Sequence, residues 1–470
     1  TVSVLYWSLE PKMRAVGLLL FAVALASSVS ASIGASSDAK YAPIPSACTG
    51  PDSGRGGVNC THRPASIPVY TQPPTFVKAV KNGKRYLAGS GNDTFYVVHL
   101  YSETDDLYEM GYALGELFPS EMKDMFNKIE PWLADLLENA VPWLPKWLAD
   151  LVIKYGAPVA MDLTFDITKK YIPKDYLAEW QGMADGANCS IQDIFRIALF
   201  PQLSKAACTI FVANKKATST GGVNQLRALD FAPLSYVADF SSVVIYHYKN
   251  KPKLANFGWI AMPGVLTGMN SVPMTAGEKK WGGHNQLLPY GLPWMQMIRR
   301  SLELDNLTAV QNYLTVHDEA NSSAPNTVSI HLGYGDQKSN AIEGFEVGYN
   351  YSKTFNWHTH GVSPTHPDFE DIVYFSKNDP AHTMCPADMI KTRYGNIDAE
   401  WLAMYYSPND KTGDTQMVGF DLANMKVWVA NSRKSTTPIT DEEPLCAYYR
   451  PRTVLDMAAL FAEKNSTNRV

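Results

Sequence analysis

The chain has 470 residues, 46% of them hydrophobic and 19% charged, with a net charge of -5 and an isoelectric point near 6.1. That much apolar material builds a sizeable core and excludes a disordered chain. The absence of a basic stripe argues against a nucleic-acid partner, and no internal period suggests a solenoid.

The first residues read as a targeting signal. Met13-Arg14 precedes the apolar run from Ala15 to Ala26, and Val29-Ser30-Ala31 fits a cleavage site. The run is short for a membrane span, which takes about 20 apolar residues, so residues 1–31 are expected to be a secretory signal peptide. Met13 would then be the start, with residues 1–12 a non-native leader. Asparagine sequons at Asn59, Asn92, Asn188, Asn306, Asn321, Asn350 and Asn465 suit a glycoprotein of that pathway. The six cysteines follow the signal, and disulfides are permitted there. The expected bridges are Cys48 with Cys60 and Cys385 with Cys446, leaving Cys189 a buried thiol if Cys208 is kept reduced.

Residues 32–74, rich in Ser, Pro and Gly, are expected to be loose and pinned by the Cys48–Cys60 loop. Tyr86 to Gly89 and Thr94 to Leu100 read as the first strands. From Asp105 to Gly156 the period is helical. Two echoing segments, Pro131 to Leu137 and Lys146 to Val152, flank the break Val141-Pro142-Trp143-Leu144-Pro145. Their tryptophans, Trp132, Trp143 and Trp147, either pack inward or form an apolar surface that meets lipid. Further helices run from Tyr176 to Gly186, from Ile191 to Phe200, between Leu287 and Leu304, and near Ala459. After Cys208 strand-like runs dominate, so the body is expected to be α+β.

The chemistry-bearing pattern starts at Ala207-Cys208-Thr209-Ile210-Phe211-Val212-Ala213. A polar, Gly-containing turn follows, then the strand Asn224 to Phe231. An antiparallel hairpin folded near residue 218 puts Cys208 beside Arg227 and Asp230. A cation and a carboxylate near a thiol lower its pKa and orient a nucleophile. No histidine is placed to act as its base. Cutting the Ala207–Cys208 bond would supply one, the α-amine of Cys208 itself, with Arg227 favouring its neutral form and Asp230 holding it.

Cys208-Thr209-Ile210-Phe211-Val212-Ala213 and Arg227-Ala228-Leu229-Asp230-Phe231 resemble the acid ceramidase and N-acylethanolamine acid amidase group. That group lies in the choloylglycine-hydrolase and penicillin acyltransferase branch of the N-terminal-nucleophile (Ntn) hydrolases. The resemblance is strongest to acid-ceramidase-like proteins of protists. Leu266 to Ser271, and Gln416 to Asp421 followed by Val427 to Ala430, are similar to later blocks of the family. The resemblance implies a four-layer αββα sandwich and a precursor that cuts itself before Cys208. It further implies a mainly helical α-subunit over 75–207 and a β-subunit over 208–470, which stay associated. Cys208 would be nucleophile in both steps, and Arg227 and Asp230 would organise the amine and the substrate carbonyl. Asn378 would be the oxyanion donor, a role typically worth about 3 kcal/mol of transition-state stabilisation. Glu278 falls near an acidic position of the family.

The implied reaction is hydrolysis of linear amide bonds in N-acyl lipids, such as ceramide or N-acylethanolamines. It would pass through a thioester, without cofactor or metal, at a membrane or micelle surface in a lysosomal or secreted setting. An acyltransferase, a phospholipase-B-like esterase and a non-catalytic lipid-binding glycoprotein are the alternatives. His358, His360 and His366 read as a Pro- and Gly-rich loop rather than a zinc site.

Overall fold

The structure is a computed structural model that describes residues 44–48, 60, 63–203, 207–280, 287–315, 327–359, 366–377, 383–438 and 440–465. The expected signal segment and Asn378 lie outside the described residues.

The chain begins with β1 (Val69–Tyr70), β2 (Thr75–Val80), β3 (Gly83–Ala88) and β4 (Phe95–Tyr101). Six helices follow: α1 (Leu107–Leu117), α2 (Pro119–Ala140), α3 (Lys146–Tyr155), α4 (Ala157–Thr168), α5 (Lys174–Ala187) and α6 (Ile191–Leu203). The Asp106 carboxylate caps α1 by accepting from Tyr108 N at 2.9 Å, satisfying a donor that the first turn leaves free. The first of the two echoing segments lies within α2, with Pro131 inside the helix, and the second within α3.

Then come β5 (Ala207–Ala213), β6 (Asn224–Asp230), β7 (Ser241–His247), β8 (Leu254–Trp259), β9 (Thr267–Asn270), β10 (Met274–Lys280), α7 (Trp294–Leu302) and α8 (Leu307–Thr315). After β11 (Ile330–Asp336), β12 (Ala341–Val347), β13 (Ser352–Phe355) and β14 (Ile372–Phe375) lies α9 (Cys385–Arg393). A composite helix has the ends α10 (Ala399–Trp401) and α11 (Ser407–Asp410), joined by a π turn over Leu402–Tyr406. The chain closes with β15 (Gln416–Asp421), β16 (Lys426–Asn431), β17 (Arg452–Asp456) and α12 (Met457–Ala462).

Two sheets stack. One has the order β1-β17-β16-β15-β6-β5-β14, the other β13-β12-β11-β10-β9-β8-β7-β4-β3-β2. Ile210, Val212, Val418 and Val429 of the first sheet meet Val97, Val243, Ile245 and Phe257 of the second in a shared apolar layer. On its outer face the first sheet packs Phe211, Leu226 and Ala228 against Met389, Trp401 and Tyr405 of α9 and the composite helix. The second turns Val98, Leu100, Val244 and Tyr246 towards α1–α8. β5 and β6 are buried throughout; β5 reads as a nearly apolar run, whereas β6 carries Asn224, Gln225, Arg227 and Asp230 into the interior. The result is the four-layer αββα order, an α+β fold.

α1 and α5 approach backbone to backbone. A Cβ at Gly182 would stand 2.3 Å from the Tyr108 carbonyl oxygen, so only glycine permits that distance.

The disulfides differ from expectation. Cys48 bonds Cys385, and Cys60 bonds Cys446. The segment expected to be loose contributes β1, which pairs in parallel with β17. That ladder carries the N-terminal segment to the end of the chain, and Cys48 packs in the layer that holds α9. Cys189 is half-buried and outside the disulfides, and burial pushes its thiol up to about 11.

Candidate active site

β5 and β6 form the expected hairpin, with Ala207 opposite Asp230, Cys208 opposite Leu229 and Ile210 opposite Arg227. Its register centres between residues 218 and 219, in line with the expected fold near residue 218. Alternation then splits the three expected residues. Leu226 and Ala228 join the outer layer, so Arg227 points inward, and Cys208 lies on the face that also carries Ile210 and Val212. Asp230 falls on the opposite face.

On the inner side, the Arg227 Nη2 donates to the Cys208 Sγ at 3.5 Å and to the Glu278 Oε1 at 2.5 Å. The thiol donates to the same Glu278 oxygen at 3.7 Å. Glu278 comes from β10 of the other sheet, so the site closes across the sandwich. Gly277 makes this possible, since a Cβ there would meet the Arg227 Cγ at 2.7 Å. Cys208 and Arg227 are fully buried and Glu278 nearly so. The Arg227 Nη1 is a buried donor with no hydrogen-bond partner among the described residues, an unusual state for a guanidinium and one suited to an arriving oxygen.

The electrostatics correct one expectation. Burial pushes the Cys208 thiol well up, the Glu278 charge adds to this, and Arg227 only partly opposes it. This environment favours the protonated thiol over the thiolate. Burial also raises the Glu278 carboxyl, with Arg227 opposing, and so makes it a better proton acceptor than an exposed glutamate.

On the outer side, the Asp230 Oδ1 accepts from Lys377 Nζ at 2.9 Å, Gly413 N at 3.0 Å and Asp414 N at 3.2 Å. Its Oδ2 accepts from the Thr412 hydroxyl at 2.7 Å. Asp230 is thus held in place by groups of its own face. Lys377 N donates to the Thr209 Oγ1 at 2.9 Å, which ties the loop after β14 to the residue following the cysteine.

Sequence reasoning assigned no role to Lys377, Thr412 or Asp414, and singled out Glu278 without fixing its place. The one signal for Lys377 was its position immediately before Asn378. Trp132 and Trp147 pack inward: the first stands edge-to-face on Phe231 at 5.7 Å, and the second donates its ring N–H to the Leu287 carbonyl at 3.3 Å. The exposed apolar side chains of this region are instead Ile153 and Tyr155 on α3 and Val159, Leu163 and Ile167 on α4.

No protein-family model matches the chain. It is 29% identical over 428 residues to protein dcd1A of Dictyostelium discoideum, across 86% of this chain and 94% of that protein. It is 28% identical over 421 residues to protein dcd1B of the same organism, across 84% and 81%. Among solved structures, a Caenorhabditis elegans N-acylethanolamine-hydrolyzing acid amidase ortholog shares 13% identity, with 46% of this chain and 93% of that one covered and a TM-score of 0.31. Penicillin V acylase from Agrobacterium tumefaciens also shares 13%, with 55% and 89% covered and the same TM-score.

Proposed function

We propose that this chain is a self-processing cysteine amide hydrolase of the Ntn type, acting on N-acyl lipids in a lysosomal or secreted setting. The observation that carries the reading is the buried Cys208–Arg227–Glu278 cluster at the start of β5, one strand in from the edge of its sheet, in an αββα sandwich.

In the first step the Glu278 carboxylate takes the thiol proton and the Cys208 Sγ attacks the Ala207 carbonyl carbon. The C–N bond then breaks, the proton passes to the departing nitrogen, and a thioester joins Ala207 to Cys208. Water hydrolyses that thioester, leaving a carboxylate on Ala207 and a free α-amine on Cys208. In turnover the amine takes the thiol proton, the sulfur attacks the substrate's acyl carbon, and the amine product leaves with the proton. Water then releases the fatty acid. The unpartnered Arg227 Nη1 is placed to receive a carbonyl oxygen that gains charge. Asn378 is the second candidate donor.

Both disulfides join residues before the cut to residues after it, 48 to 385 and 60 to 446. The parallel ladder of β4 with β7 and the buried Arg299–Glu179 ion pair do the same. The halves would therefore stay together. Two disulfides are compatible with an oxidising compartment. The stripe on α3 and α4 suits a surface that draws substrate from a membrane or micelle.

The test is the intact mass of the purified, deglycosylated chain beside Cys208→Ala, with and without reductant. The reading expects wild type to give one disulfide-linked species that separates on reduction, with a new N-terminus at Cys208, while the variant stays whole. A wild type that remains one chain at neutral and acidic pH, even when reduced, sinks it and favours a non-catalytic lipid-binding protein.

A further inference from the structure

The outer face of the first sheet, behind Cys208, holds a buried ionic cluster. Asp230, Asp410 and Asp414 are each at most 1% exposed, and the Lys377 side chain is 10% exposed. Lys377 Nζ pairs with Asp230, which stands opposite Ala207 in the ladder. Lys377 N holds the Thr209 hydroxyl, which also lies 2.8 Å from the Thr412 hydroxyl. The cluster thus grips the residues on either side of the cysteine.

Asp414 closes it. Its backbone N–H donates to Asp230, and its Oδ1 accepts from Phe231 N and from the Thr415 hydroxyl, each at 2.9 Å. Its Oδ2 is buried without a hydrogen-bond partner among the described residues. A buried carboxylate oxygen in that state is costly, and a proton on it removes the larger, charge-bearing part of that cost.

We infer that Lys377 and Asp414 are positioning residues for the chemistry at Cys208, acting through Asp230 and Thr209 on the residues either side of it. This rests on the amide-hydrolase reading above. Lys377 feels the carboxylates of Asp230 and Asp410 and, when Asp414 is ionised, a third beside them. A proton on Asp414 removes that third charge, the more balanced state for the Lys377–Asp230 pair, and leaves Phe231 anchored. The titratable groups facing Asp414 are Asp230 from β6 and Lys377 from the loop after β14, while Asp410 on α11 acts on Lys377. Burial first, and then the Asp230 charge, push the Asp414 carboxyl up to about 7, with Lys377 opposing. The balanced state forms as the pH falls below neutral.

The test follows self-cleavage of the uncut full chain from pH 8 to pH 5.5. In this step residue 208 has an amide nitrogen and no amine to titrate, and Glu278, which must be ionised to act, adds a limb of the opposite sign that Asp414→Asn leaves in place. The protonated share of a carboxyl with a pKa of about 7 falls about tenfold between pH 6 and pH 8, so wild-type cleavage is expected to slow by a comparable factor on that limb. Asp414→Asn mimics the protonated form and should flatten the limb to within about twofold by the same relation. Lys377→Met should slow cleavage across the whole range, with partial rescue in Lys377→Arg. A merely structural Asp414 would change the rate without changing the shape of the profile. Cleavage by Asp414→Asn with the wild-type profile overturns the inference alone. No cleavage by wild type at any pH overturns the proposed function and this inference with it.

Discussion

Replacing Arg227 with methionine tests whether the site is a buried charge pair. Arg227 is 0% and Glu278 2% exposed. Methionine keeps most of the apolar stem and removes the cation. It leaves Glu278 buried and uncompensated, a loss that typically costs about 3–5 kcal/mol. With about 2.1 cal/mol/K of unfolding entropy per residue over this length, that is roughly 3–5 °C in melting temperature. The cost depends on pH, with a definite sign. Burial already holds the Glu278 pKa above its ordinary value, and losing Arg227, which opposes that rise, moves it higher still. A carboxyl raised in the folded state is penalised where the unfolded chain would ionise it, so the penalty is full near neutral pH and fades as the pH falls towards the ordinary carboxylate range, near 4. The assay is calorimetry from pH 7.5 to pH 4.5 in a Cys208→Ala background, in which the proposed self-cleavage cannot occur. Arg227→Met/Glu278→Gln should recover most of the loss at pH 7.5. A single-variant loss below about 1 kcal/mol at pH 7.5, or one independent of pH, would rule out a buried charge pair, because that is the behaviour of a solvated one.

Two further outcomes are expected. His99 Nδ1 lies 2.9 Å from His247 Nε2, and burial lowers the two rings to about 4 and about 2. Histidines held neutral in the folded state cost stability as the pH falls below about 6.5, and the His99 shift alone is worth about 3 kcal/mol. The melting temperature should therefore drop between pH 6.5 and pH 4, and His99→Leu/His247→Leu should shrink that drop; an equal drop in the variant would discard the account. Separately, Ile153→Ser/Leu163→Ser/Ile167→Ser should weaken flotation with lipid vesicles. Three side chains at about 1 kcal/mol each amount to roughly a hundredfold in partitioning. Unchanged flotation would rule out this stripe as the lipid contact.

The local grammar of the fold is legible in the sequence. The apolar run through Cys208, the Gly-rich turn and the second run fix a hairpin and its register, because turn chemistry and period-two alternation are short-range properties. The same holds for the β15–β16 hairpin and for α5 and α6. The helical period between Leu287 and Leu304 was legible too, but the helix itself begins only at Trp294, and Leu287 instead bridges to Val328.

What comes together from far apart depends on tertiary structure. Glu278 reaches Cys208 only because two sheets stack, and nothing within β10 announces a partner 70 residues away. Cysteine pairing depended on β1 lying along β17, a parallel contact with no local signature. The split of Cys208 and Arg227 from Asp230 across one sheet was implicit in the alternation. That the outer face would be buried beneath α9 and the composite helix, with Lys377, Thr412 and Asp414 closing on Asp230, was not. Spacing along the chain sets which residues can be neighbours in a hairpin, while the environment that fixes their charge is set by burial, and burial belongs to the whole fold.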